Sequence, residues 1–337
     1  MTVAAPTDHE HVHSADRHQT VDAPFATALL ELAARREDLV VLAADLAHYT
    51  DVQPFADVYP DRFFQVGMAE QNLMGVAAGL AKSGFVPIIT TYCVFASRRA
   101  YEQVALALCT GSRPAVIAAF LPGITTPFRA THQGTDDLSL MRNIPGISVV
   151  DPADATELAA ALPAAVDHGS TVYLRGLRGQ VRRVFDPVHH DFSIGPAFEL
   201  RAGTAVGVVA TGLATTWALD ALDDMATAGM DAGLLHVPTI KPADTDGIAA
   251  FVARFPTVVT VENHARLGGL GTVVAEVIAE HGTVTRLHRL GVPDQWPPAG
   301  SVEHIRAALA LDTRGIVEGV IRALGSGGRT AVDRRHP

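Results

Sequence analysis

Short apolar runs alternate with longer stretches of helical periodicity along most of the chain. Residues 39–44 (LVVLAA), 85–91, 114–120, 147–150 and 172–175 are apolar nearly throughout, as strands buried on both faces of a parallel sheet are. The stretches between them have helical length. Residues 22–36 place Phe25, Leu29, Leu30 and Leu32 on one face, and residues 96–108 carry Arg98, Arg99 and Glu102 on exposed turns. Asp151-Pro152-Ala153-Asp154 opens a helix over residues 155–168. A second series has strands at 205–210, 232–236 and 258–262, with helices at 216–228, 243–254, 271–281, 301–309 and 313–324. The alternation predicts an α/β protein with two doubly wound, mostly parallel sheets, over residues 21–182 and 205–325. Residues 181–202 break the rhythm with Pro187, Pro196, His189 and His190, so 183–204 read as a linker. Residues 1–20 and 326–337 read as polar tails. His9, His11, His13 and His18 lie in the first, without apolar neighbours to fix a metal geometry.

Residues 64–84 (FQVGMAEQNLMGVAAGLAKSG) stand out. An apolar segment reaches Gly67, and Glu70 then opens a helix built almost wholly of Ala, Leu, Val, Met and Gly up to Lys82. Such a helix should be buried on most sides, with Gly84 suited to the residue after its end. A carboxylate at the helix start is favoured by the helix dipole but needs a partner when buried. Glu70 is therefore either a cap or a functional acid.

Composition narrows the class. The chain has 337 residues, 48% hydrophobic and 18% charged, enough for two full cores. A net charge of −10 argues against nucleic acid or an anionic membrane as the main partner. Two cysteines, Cys93 and Cys109, cannot form a disulfide framework, and both sit in apolar surroundings. A reducing cytoplasm is expected, since neither a secretory signal nor a long apolar run is visible. Gly269-Leu270-Gly271 after a strand invites a dinucleotide-fold reading, but Val274 stands where the third glycine belongs.

The stretch GMAEQNLMGVAAGLAKSGFVPIITTYCVFASRRAYEQV resembles the transketolase family of thiamine-diphosphate enzymes. VENHARLGGLGTVVAEVI and TIKPAD resemble that family's C-terminal domain, and the resemblance covers residues 22–324. It implies that Glu70 bonds the aminopyrimidine ring of the cofactor and promotes the tautomer that takes the thiazolium proton. Tyr92 and Phe95 would clasp the ring, with Arg98 where some relatives carry a third aromatic. Asp45 matches an aspartate near the thiazolium. His132, in Ala130-Thr131-His132-Gln133, matches a loop histidine that bonds a substrate hydroxyl, with Asp136 either orienting it or capping the next helix. Arg175 matches an arginine that grips the substrate's distal anion. Each has a plainer alternative, as core aromatic, loop histidine or surface arginine. Phe128, Phe120 and Tyr49 replace polar residues usual in the family, which counts against ordinary sugar phosphates.

No Gly-Asp-Gly turn occurs, so the motif that binds diphosphate and a divalent metal is missing. The resemblance thus implies the C-terminal subunit of a split transketolase, with pyrimidine-binding and C-terminal domains. The partner would be the N-terminal subunit, which would hold magnesium or a similar ion, most simply in an α2β2 assembly. The expected activity is transfer of a two-carbon ketol unit from a ketose to an aldehyde. A deoxyxylulose-phosphate-synthase-like or 2-oxo acid dehydrogenase β-type subunit, or a non-catalytic scaffold of the same fold, are the alternatives.

Overall fold

The computed structural model describes residues 19–111 and 113–325. The two expected tails, with the four N-terminal histidines, lie outside them apart from Gln19 and Thr20. In chain order the strands are β1 (Thr20–Asp22), β2 (Leu39–Ala43), β3 (Phe63–Gln65), β4 (Val86–Tyr92), β5 (Ala115–Phe120), β6 (Ile147–Val150), β7 (Thr171–Gly176), β8 (Gln180–Arg182), β9 (Phe198–Arg201), β10 (Val206–Ala210), β11 (Ala232–His236), β12 (Thr239–Lys241), β13 (Thr257–Ala265) and β14 (Arg286–Val292). The first sheet runs β12-β6-β7-β5-β4-β2-β3 and the second β14-β13-β10-β11-β9. Within these two sheets all pairs are parallel except β12 with β6 and β9 with β11, and β1 and β8 form a separate antiparallel pair. The α/β reading with two mostly parallel sheets is borne out.

The continuous apolar runs are explained by burial on both faces. Along β4, Ile88 packs towards the helices Pro24–Ala33 and Ala155–Asp167, while Ile89 packs towards the helix Glu70–Lys82. The second sheet packs its own core against Leu213–Thr227. One expectation changes at the Glu70–Lys82 helix. Leu73, Met74, Ala77 and Ala81 are buried, but Gln71, Asn72, Gly75, Val76 and Gly79 face outward, so only one side is covered within this chain.

Residues 183–204 are not a loose connection. They include β9, which edges the second sheet, and His190, which is buried. The imidazoles of His190 and His236 lie 3.1 and 2.8 Å from the two oxygens of buried Glu157. Burial works against the charge of Glu157, yet the imidazoles, His236 foremost, hold it well below the usual carboxylate value. β12 crosses from the second unit to edge the first sheet, which ties the two together. Residues 96–108 form two π-helical turns, Phe95–Arg99 and Val104–Leu108, around a short α-helical piece, in place of one regular helix.

The glycines of the GGLG run make room for a carboxyl group. A Cβ on Gly269 would come within 2.1 Å of Glu262 Oε2, and Gly271 N donates to Glu262 Oε1 at 3.1 Å. Burial pushes Glu262 up from an ordinary 4.5 to about 8, only partly opposed by the backbone N–H groups. Burial also lowers His264, 3.9 Å away, to about 4, so the pair is neutral near pH 7. The folded chain then keeps a proton that the unfolded chain releases above about 4.5. For this group, stability is fully present below that value and is lost as pH rises through about 8. The steepest slope is about 1.4 kcal/mol per pH unit. His264, lowered from 6.5 to about 4, contributes the opposite slope below about 6.5, so urea midpoints should fall for the wild type between about 6.5 and 8, and this fall should be absent in Glu262→Gln.

Candidate active site

The site lies at the carboxyl ends of the first sheet's strands, where open α/β sheets bind ligands. After β3, Gly67 turns the chain with a φ of 79° and the helix starts at Glu70. The Glu70 side chain is 1% exposed. It is not the helix cap, because Ala69 holds that position without a side-chain bond. Its Oε2 instead accepts from Arg99 at 2.7 Å, and among the described residues Oε1 has no hydrogen-bond partner. Oε1 is not fully enclosed, and it is left open to a polar ligand group.

Arg99 leads directly to the aromatic pair. Its guanidinium lies 4.5 Å from the Phe95 ring centroid, and Phe95 stacks on Tyr92 with centroids 5.8 Å apart and planes at 26°. The π-helical turn carries Phe95 and Arg99 together, the kind of local irregularity common at functional sites. His132 completes the group. Its ring lies 5.5 Å from Phe95, 6.1 Å from Tyr92 and 5.3 Å from Phe128. Nδ1 is 2.9 Å from Thr131 Oγ1. A cleft of 560 Å³ opens here, lined by Val94, Phe95, Arg98, Arg99, Ala130, Thr131 and His132. Asp45 follows β2 with a φ of 59°, exposed, its backbone N–H donating to Gln65 Oε1 at 2.6 Å.

A profile of the transketolase pyrimidine binding domain matches residues 17–183, and one of the transketolase C-terminal domain matches residues 195–316. An uncharacterized transketolase family protein from Sinorhizobium fredii is 42% identical over 88% of this chain and 87% of its own length. The 6-deoxy-6-sulfo-D-fructose transketolase subunit SqwH from a Clostridium species is 37% identical over 87% of this chain and 91% of its own. The chain belongs to the transketolase family. A solved structure described as a split gene transketolase, inactive beta4 tetramer, superposes with a TM-score of 0.81 at 36% identity, covering 90% of this chain and 97% of that one. 1-Deoxy-D-xylulose-5-phosphate synthase 1 from Geobacter sulfurreducens is 35% identical over 87% of this chain, which spans 46% of it. The chain is thus a split transketolase-type subunit, and the family is one of thiamine-diphosphate-dependent enzymes.

Not every candidate residue joins this transketolase-type site. Arg175 does not. It is 1% exposed, and its donors go to Asp137, Asp151 and the Asn263 carbonyl. No face of the guanidinium is left for a substrate anion, so that expectation is corrected. Arg98 lines the cleft, but its charged end is engaged by Asp136 and the Ala130 carbonyl. That leaves it poorly placed as a third ring wall.

Two arginines escaped the sequence reading. Arg99 partners Glu70, but sequence spacing does not reveal which of the adjacent Arg98 and Arg99 would do so. Arg178 is exposed, lies 5.7 Å from the Tyr49 ring and has no ion-pair partner among the described residues. Burial raises the Tyr92 phenol above its usual value, opposed in part by the charge of Arg178.

Proposed function

We propose that this chain is the pyrimidine-binding subunit of a split enzyme that transfers a two-carbon ketol unit from a ketose to an aldehyde. The observation that carries the reading is the buried Glu70 carboxylate, one oxygen unpaired and the other linked through Arg99 to the Tyr92–Phe95 stack. These residues fit thiamine diphosphate, with an acid for a ring nitrogen and flat faces for the ring. When bound, the cofactor supplies the electron sink for carbon–carbon cleavage. Glu70 holds a proton at the pyrimidine nitrogen, and Arg99 fixes the carboxylate's orientation. Tyr92 and Phe95 stack the ring and exclude water. His132 bonds a substrate hydroxyl and moves its proton. Asp45, exposed after β2, would be the residue that meets the cofactor's thiazolium. Arg178, in place of Arg175, takes the substrate's anionic end.

The distal anion is open between phosphate and sulfonate. SqwH is named for a sulfonated ketose, and the exposed Phe128 and Tyr49 reduce the polar groups that a sugar phosphate would meet, whereas Phe120 is buried against Phe25 and plays no part. The diphosphate and a magnesium-like ion are assigned to an N-terminal partner subunit, because the sequence has no Gly-Asp-Gly turn. The outward Gly75, Val76 and Gly79 face suits close helix contact in an α2β2 assembly. Among the described residues no helix is long and apolar enough to cross a membrane, and a cytoplasmic location belongs to this proposal.

A second reading, a deoxyxylulose-phosphate-synthase-type subunit, is favoured by the half-length matches to such synthases. Donor trials separate the two: a 2-oxo acid donor that loses carbon dioxide would favour the second. The isolated chain should bind thiamine diphosphate weakly and show no turnover, in line with the neighbour described as an inactive tetramer. Calorimetry showing tight, magnesium-dependent binding to this chain alone would sink the split-site proposal. So would a mass measurement that finds only monomer with the partner present.

A further inference from the structure

Arg98 lines both the ring cleft and a second cleft of 370 Å³ at the seam with the C-terminal domain, and Asp136 lines the second. Asp136 precedes the helix Asp137–Arg142, where an aspartate ordinarily accepts a backbone N–H of the first turn. It makes no such bond. Its carboxylate takes the Arg98 fork, with Nε at 3.1 and 2.9 Å and a terminal nitrogen at 2.8 Å. The other terminal nitrogen of Arg98 donates to Ala130 O at 3.1 Å. One guanidinium therefore holds the backbone two residues before His132 and the side chain four residues after it. A planar fork permits this, and an ammonium group does not reproduce it.

The rest of the loop is fixed mainly from below. A Cβ on Gly134 would come within 2.7 Å of Cys93 Cβ, so this glycine lets the loop rest on the floor of the site. Gln133 is buried and donates to Thr126 O at 3.1 Å. At the upper part, Arg129 adopts a φ of 59°, which costs free energy for a non-glycine residue. The Arg98 bond to Ala130 lies next to that strained position. From the C-terminal domain, the Trp296 ring sits 5.5 Å from the Arg98 guanidinium and is 67% exposed.

We propose that Arg98 is a positioning residue that clamps the loop on both sides of His132 and so sets the imidazole against Phe95 and Tyr92. Trp296 packs on the outer side of the clamp and reports its state. The importance of His132 rests on the transferase reading above, but the clamp is a property of this chain alone.

The test uses the full chain with Trp217→Phe, so that Trp296 is the sole tryptophan of the two. Arg98→Ala and Asp136→Asn should speed amide hydrogen exchange over residues 129–135 by about tenfold or more, the value of a charge-assisted bond, without change in β4 or β5. The Trp296 emission should shift, and the His132 imidazole NMR signals should lose the ring-current displacement from their aromatic neighbours. Arg98→Lys should recover these readouts only in part. In the assembled enzyme kcat should fall by about tenfold or more, while thiamine-diphosphate affinity stays within about twofold. Unchanged loop exchange in both variants would overturn the proposal. So would an unchanged loop with weakened cofactor binding, which would make Arg98 a ring wall. If no ketose is turned over, only the functional reading fails, because exchange and NMR still decide the clamp. Should Arg98→Ala not fold, Asp136→Asn, nearly equal in volume, carries the test.

Discussion

Glu70→Gln is expected to lower turnover of the assembled enzyme by roughly 10²–10⁴, the range for a lost acid–base group. The two side chains have nearly the same volume, and the site is buried, so the fold should persist. The amide can keep one bond to Arg99 through its oxygen. Its other end becomes an N–H donor where the carboxyl group holds an unpaired oxygen. It can neither share a proton with a ring nitrogen nor balance the Arg99 charge. Cofactor affinity should fall less than turnover, since stacking on Tyr92 and Phe95 and the partner's hold on the diphosphate remain. Thiazolium C–H exchange with deuterium, compared between wild type and Glu70→Gln in the complex, is the direct readout. Equal exchange rates would remove Glu70 from the role assigned to it.

Residue type and spacing revealed the parts of the fold that are buried on both sides. β2, β4 and β5 read as strands because every side chain in them packs against a helix or another strand. β14 did not, because Arg286, His288 and Arg289 interrupt an edge strand of mixed exposure. β12 has three residues and owes its place to a sheet built from distant sequence. The site divides in the same way. Glu70, Tyr92, Phe95 and His132 sit in contiguous motifs, so their coming together was legible. The roles of Arg98 and Arg99 were not, because a π-helical turn sets which one reaches Glu70 and which one reaches Asp136. A helical period of 3.6 residues carries no such information. Arg175 and Arg178 stand three residues apart. Only the folded chain shows that the first is enclosed by carboxylates from two distant segments while the second remains exposed.

That enclosure makes Arg175→Met the substitution expected to damage stability most, by about 3–5 kcal/mol. Asp137 is fully buried and accepts from Arg175 Nε at 2.9 Å and from the Tyr173 hydroxyl at 2.8 Å. Burial works against its charge, but the Arg175 guanidinium holds it below the usual carboxylate value. Asp151 lies 3.1 Å from the same guanidinium, and burial pushes it up to about 6. Without Arg175, two carboxyl groups remain in a dry site without a cation, and the Asn263 carbonyl loses a donor. Asn263 also spans the seam, accepting from Ile124 N at 2.9 Å and donating to Pro122 O at 3.0 Å. The loss should therefore loosen the contact between the two domains as well as the first sheet. Urea denaturation of the chain measures it, and adding Asp137→Asn to Arg175→Met should recover part of the loss by removing one uncompensated charge. The kinetic comparison separates structure from substrate binding. Under conditions where the variant is folded, Arg175→Met should leave the donor KM within about twofold, whereas Arg178→Ala should raise it with little change in stability. A variant at Arg175 with wild-type stability and a raised KM would return that residue to the substrate and make the buried cluster incidental.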